Sequence, residues 1–135
     1  MASLQNELKA AIIAWLAADS AISAIVGAKI FDRVKAGRKM PYVNYGAVDV
    51  RPADGTCLRA FDVNITLHGW SVEPNADEAN SIADAVTDAL HQAPVTLPMP
   101  FILSSIEHRL NRVFTDPDGL TTHAVMEFAA YVQRQ

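Results

Sequence analysis

Apolar residues recur at spacings of three and four near the start of the chain, where Leu4, Leu8, Ile12, Trp15 and Leu16 fall in one stripe. That spacing matches the turn of an α-helix and predicts one with a single buried side. Ser3 stands just before the stripe, where its hydroxyl can accept from an early backbone N–H, and the stripe ends near Ala18. Asp19 or Ser20 can start a second short turn with Ile22, Ile25 and Val26 on its apolar side. Gly27 stands where a left-handed C-terminal cap is wanted.

The period then changes. Residues 29–34 suit a short strand, and residues 42–50, opened by Pro41 and rich in Val and Tyr, suit a longer one. Pro52, Asp54 and Gly55 mark a loop over residues 51–56. Phe61, Val63, Ile65 and Leu67 alternate with Asp62, Asn64, Thr66 and His68, the two-residue period of a half-buried strand. Asn75 and Glu78 fit a capping box after Pro74. The helix that follows has Ala79, Ile82, Ala83, Val86, Ala89 and Leu90 inward, many of them small enough for close approach to a sheet, and Pro94 ends it. Residues 101–114 and 120–132 read as two long strands around Asp116-Pro117-Asp118-Gly119, a turn in which Pro117 presets φ and Gly119 takes a positive one. A three-residue loop there sets Asp116 opposite Leu120, Leu110 opposite Met126 and Arg109 opposite Glu127, matching grease with grease and opposite charges. Together these elements predict one α+β domain over residues 1–135. Its sheet is mostly antiparallel, two main helices pack on one face, and the chain closes on a β-hairpin.

Composition narrows the function. The 135 residues carry a formal net charge of -4, which argues against general nucleic-acid binding. No apolar run approaches the ~18 residues needed to cross a bilayer, and the N-terminus lacks the pattern of a signal peptide. The expectation is a chain that stays where it is made, with no membrane partner. Cys57 is the sole cysteine, so no intrachain disulfide is available.

Candidate chemistry is sparse. His68, His91, His108 and His123 are dispersed, with no partner four residues on and no Cys–x–x–Cys beside them. Cys57 has no neighbouring His to activate it. Asp77 and Glu78 fit a first helical turn, Asp84 and Asp88 a solvated helix face or a partner surface, and Asp116 and Asp118 a turn. There is no Gly-rich phosphate loop, and no cofactor is expected. What stands out is a basic stretch, Arg33, Lys35, Arg38 and Lys39, and a second charged loop with Arg51, Asp54 and Arg59. Both have little apolar anchoring and suit contact with a partner. Glu78, Asp84 and Asp88 offer the basic stretch a complement on a neighbouring copy.

Several segments, in order, resemble a known family. They are the helix with Leu4, Leu8, Ile12 and Leu16 leading into Asp19-Ser20-Ala21-Ile22 and Val26-Gly27, then Ile30-Phe31-Asp32-Arg33-Val34 and Pro41-Tyr42-Val43. Ile65-Thr66-Leu67-His68-Gly69-Trp70-Ser71, Ala79-Asn80-Ser81-Ile82-Ala83-Asp84-Ala85-Val86 and Asp116-Pro117-Asp118-Gly119-Leu120-Thr121-Thr122-His123 complete the set. The set spans nearly the whole chain and is similar to the tail-completion (tail-terminator) family of long-tailed phages and phage-derived gene transfer agents. The resemblance implies a small α+β structural subunit of the virion or particle tail, made in the bacterial cytoplasm. It implies a homo-oligomer, a hexameric ring, that stops the tail tube protein polymerising and meets a head-side connector or stopper. DNA would pass through the lumen without sequence-specific contact, and neither enzyme activity nor a cofactor is implied. Two other readings stay open: another small head–tail joining protein of the neck, and a small enzyme or ligand-binding domain using the histidines and Cys57.

Overall fold

The computed structural model describes residues 2–135. Helices α1 (Leu4–Ala17) and α2 (Ser20–Val26) precede strands β1 (Ile30–Phe31), β2 (Tyr42–Pro52) and β3 (Arg59–Ser71). Helix α3 (Asp77–Leu90) and strands β4 (Phe101–Thr115) and β5 (Thr122–Arg134) complete the chain. The strands form one five-stranded sheet in the order β1-β2-β3-β5-β4. Only the short β1–β2 pairing is parallel. This is the expected α+β fold, with the hairpin at the C-terminus.

Local chemistry explains the helix ends. Ser3 Oγ accepts from Asn6 N at 3.3 Å, and Asp19 Oδ1 accepts from Ile22 N at 3.0 Å. Each satisfies an N–H that the helix leaves unpaired. Gly27 closes α2 with φ +64°. The buried stripe of α1 is Leu4, Leu8, Ile12 and Leu16; Trp15 lies beside it and donates Nε1–H to Ala89 O at 2.8 Å, tying α1 to α3. Val63, Ile65 and Leu67 of β3 and Met126, Phe128 and Val132 of β5 form the floor of the core. Ile65 is buried and Thr66 is not, as the alternation requires.

Close packing of α3 depends on Gly69. A Cβ there would lie 2.7 Å from Ile82 Cγ2, well inside contact distance. Ala79 and Ala83 are buried on the same helix face, so small residues on the helix and a glycine on the strand together let the backbones approach.

The structure departs from the sequence reading in four places. The strand expected over residues 29–34 shrinks to Ile30–Phe31, and the rest joins the basic loop. The loop expected over 51–56 shifts to residues 53–58, because Arg51 and Pro52 still pair with Asp62 and Phe61. The capping box does not form. The cap residue of α3 is Ala76, with no side-chain hydrogen bond. Asn75 Oδ1 instead accepts from Asp77 N at 3.0 Å, and Glu78 Oε1 accepts from Ser71 Oγ at 2.8 Å. Ser71 is fully buried, and a buried hydroxyl needs a partner more than an exposed helix end does.

The hairpin register is the fourth departure. It holds as expected from Ser105 to His108, but toward the turn Leu110 faces Glu127 and Asn111 faces Met126. A bulge between His108 and Leu110 absorbs Arg109, which lies 3.6 Å from Glu107 rather than opposite Glu127. The cause lies in the turn. Asp118 accepts from Leu120 N, Thr121 N and Thr121 Oγ1 at 2.9, 2.9 and 2.7 Å, curling both residues into the loop. These bonds also hold the Asp118 carboxyl below its usual pKa.

Two stability predictions follow from the packing. Gly69→Ala is expected to destabilise the fold by about 1–3 kcal/mol, with partial rescue by Ile82→Leu, which removes the β-branched methyl that the new Cβ would meet, read from denaturant midpoints. Tyr45 is buried and its hydroxyl has no hydrogen-bond partner among the described residues; burial and the nearby Asp32 push its pKa up. Tyr45→Phe removes that orphan group and is expected to raise stability by roughly 1 kcal/mol; a clear fall in the urea midpoint contradicts it.

Candidate assembly interface

The basic loop joins β1 to β2, at one edge of the sheet. Arg33, Lys35, Arg38 and Lys39 are all exposed. The loop is tied down at three points. Lys9 Nζ lies 3.1 Å from Asp32 Oδ2, the Arg38 guanidinium stands 4.6 Å from the centre of the Phe31 ring, and Lys29 Nζ donates to Lys39 O at 3.3 Å. Gly37, at φ +81°, lets the loop turn back. Lys29, Lys35, Arg38 and Lys39 rim a shallow open depression. Among the described residues no carboxylate forms an ion pair with Arg33, Lys35, Arg38 or Lys39.

The second charged loop is used partly for its own support. Asp54 Oδ1 accepts from Ala60 N at 3.0 Å, and the Arg59 guanidinium lies 5.9 Å from the centre of the Phe61 ring. Arg51 sits in β2 opposite Asp62. Cys57 is exposed at the tip, with φ +60°. On α3, Glu78 is engaged with Ser71, whereas Asp84 and Asp88 are exposed. Asp84 lies one turn before Thr87, which meets Asn111 of β4 through Asn111 Nδ2 at 3.0 Å. Asp88 borders a hollow with Trp15 and Ala18, and among the described residues no ion pair joins the basic loop to Asp84 or Asp88.

The fold does bring together residues that the sequence keeps apart. On the sheet face not covered by helices, His68 Nδ1 and His123 Nε2 are 2.7 Å apart. Trp70 stacks on His123 with ring centres 3.7 Å apart and donates Nε1–H to Asn44 Oδ1 at 2.7 Å. His123 Nδ1 lies 3.7 Å from Asp116 Oδ1. Gly46 makes room for His68, since a Cβ there would lie 2.6 Å from its ring. A second group links His108 Nε2 to Asn111 Oδ1 at 2.8 Å, and His91 Nδ1 accepts from His108 N at 3.0 Å. Spacing along the chain gave no sign of either group, because the first depends on strand pairing and the second on the β4 bulge between His108 and Leu110 and on the end of α3 meeting β4. Among the described residues no three His, Cys, Asp or Glu side chains converge as a metal site.

Burial pushes the pKa of His68 down. His123 is also pushed down, first by burial and then by His68, against an opposing pull from Asp116. A histidine whose folded pKa lies below its unfolded value binds its proton more readily when unfolded, so stability rises with pH across that interval. The fold is therefore expected to lose stability as pH falls from about 6.5, the unfolded histidine value. His68→Gln should flatten this slope. Thermal melts of both proteins between neutral and mildly acidic pH test it, and equal slopes would contradict it.

The chain thus presents two charged surfaces, a sheet face without helices, and histidines engaged with one another. Residues 10–133 match the family of the tail completion protein gp17, and the chain belongs to that family. Among solved structures it is similar to a chain from the virion of a native gene transfer agent particle, at 23% identity and a TM-score of 0.89, covering 98% of this chain and 99% of that one. No curated protein sequence matches it. The family makes this a structural protein of a phage-type tail.

Proposed function

We propose that this chain is the subunit of a ring that terminates the tail tube and joins it to the head-side connector of a phage or gene transfer agent particle. Membership of the tail completion family carries this reading. The match to a virion chain over almost the full length of both proteins supports the fold on which it rests. The ring is a homo-oligomer, a hexamer, that meets the tube protein on one side and the connector or stopper on the other, and DNA crosses its lumen without base-specific contact. Its work is mechanical, with no catalysis and no cofactor. Arg33, Lys35, Arg38, Lys39, Arg51, Asp54, Arg59, Glu78, Asp84 and Asp88 belong to its subunit or partner contacts, with Asp54 and Glu78 shaping the contact surface from within.

The 53–58 loop supplies the test. Its base is held by Ala53 N donating to Ala60 O at 2.8 Å, and its tip bridges Gly55 to Leu58. Little of the core depends on it. Replacing it with a tight turn is expected to leave the melting temperature within a few degrees, since surface changes are usually worth about 0.5 kcal/mol or less. The same change should yield tails of uncontrolled length or tails without heads in electron micrographs. Normal particles at normal titre would remove the loop from assembly, and native mass spectrometry showing only monomer with and without tube protein would remove the ring.

A further inference from the structure

We propose that copies of this chain join head to tail, the β1–β2 basic loop of one docking on the exposed Asp84–Asp88 face of α3 in the next. The inference rests on the ring reading and gives its lateral contact a direction. Three observations carry it.

The first is charge. Arg33, Lys35 and Lys39 are exposed and have no carboxylate partner within the described residues, while Asp84 and Asp88 are exposed on a helix that contains no Lys or Arg. The second is place. The loop joins β1 and β2 at one end of the sheet order, whereas α3 lies over β3, β5 and β4, with Asp88 on its outer side beside Trp15 and Ala18. The complement therefore has to come from another molecule. The third is symmetry. The ring reading requires one contact repeated in a single direction, and a loop on one copy meeting a helix face on the next has that form. Every copy then carries one donor surface and one acceptor surface, and such heterologous contacts close into rings. The loop is also prepared for docking. Its anchors at Asp32, Phe31 and Lys39 O fix its course while the ends of Lys35 and Lys39 remain free to pair. Less ordering cost then falls on association.

The test uses two full-length variants, Lys35→Glu/Lys39→Glu and Asp84→Lys/Asp88→Lys. Arg38 is left alone because it packs on Phe31. Each variant alone sets like charges against each other and should associate roughly tenfold or more weakly than the wild type. An equimolar mixture should recover assembly, with the two chains in equal number and alternating, since each now meets its complement. Native mass spectrometry reads both stoichiometry and composition, and thermal melts confirm that each variant is folded. A wild type that stays monomeric, alone and with tube protein, overturns the ring and this contact together. A wild type that assembles alongside variants that assemble equally well leaves the ring standing and removes the contact. A mixture of folded variants that stays monomeric also removes it. Short duplex DNA retained by the wild type and lost by the Lys35→Glu/Lys39→Glu variant, with assembly unchanged, would assign the loop to phosphate instead.

Discussion

The approach of α3 to the sheet over Gly69 is the contact on which the other tertiary links depend. Ile82 occupies the space that a side chain at position 69 would fill. At that spacing Trp15 reaches Ala89 O, Thr87 reaches Asn111, and Glu78 reaches the buried Ser71. Each of these bonds joins α3 to a different element: α1, β4 and β3. Hydrogen bonds lengthened by even half an ångström lose much of their value, as do dispersion contacts across a gap. The helix thus serves as the strut of the domain, and its one contact with a bare backbone fixes how every other neighbour meets it.

That role also explains why α3 departs from its sequence pattern. Asn75 and Glu78 have the spacing of a capping box, but the pattern says nothing about Ser71 lying unpartnered beneath the helix start. Tertiary demand took Glu78, and Asn75 settled for the local bond to Asp77 N. The hairpin tells a similar story. Alternation placed both strands within a residue or two, but the expected register holds only from Ser105 to His108, between bulges at Leu103/Ser105 and His108/Leu110. Near the turn, the Asp118 carboxylate recruits two backbone N–H groups and a hydroxyl, and the loop grows at the expense of the pairing. Helix stripes and strand alternation were legible because burial imposes them on the sequence. Competition among polar groups for partners was not, because it is settled only after the elements meet.

The same limit hid the pairing of His68 with His123. Both point away from the helices on adjacent strands, but β3 and β5 are separated by α3 and β4 in the chain. His123 has one ring nitrogen facing His68 and the other facing Asp116, while Trp70 covers its face. A general base needs a lone pair directed at a substrate. Both nitrogens of His123 are directed at protein, so His123 serves the sheet's own cohesion. The charged loops and the acidic helix face were visible from sequence as surfaces, but which of their residues turn inward was not: Asp54 and Glu78 are spent on internal bonds, and Arg38 leans on Phe31.

Charge and grease are distributed differently over the surface, and the difference bears on how such a subunit is held. Exposed ion pairs are worth only about 0–1 kcal/mol each, so a contact between the basic loop and α3 sets direction more than strength. Apolar area, which supplies strength, lies elsewhere. Leu120 is 74% exposed and Val72 56%, and both border one hollow beside the β4–β5 turn. Met99 is 67% exposed at the opposite end of the hairpin, where it shares a groove with Val95, Leu97 and Ile102. The hairpin is up to 15 residues long, so these two apolar ends are separated by most of the length of the domain. In the proposed ring, charge on the basic loop and α3 and apolar side chains at the strand ends would let register and affinity be set by different surfaces. A change in one can then leave the other intact.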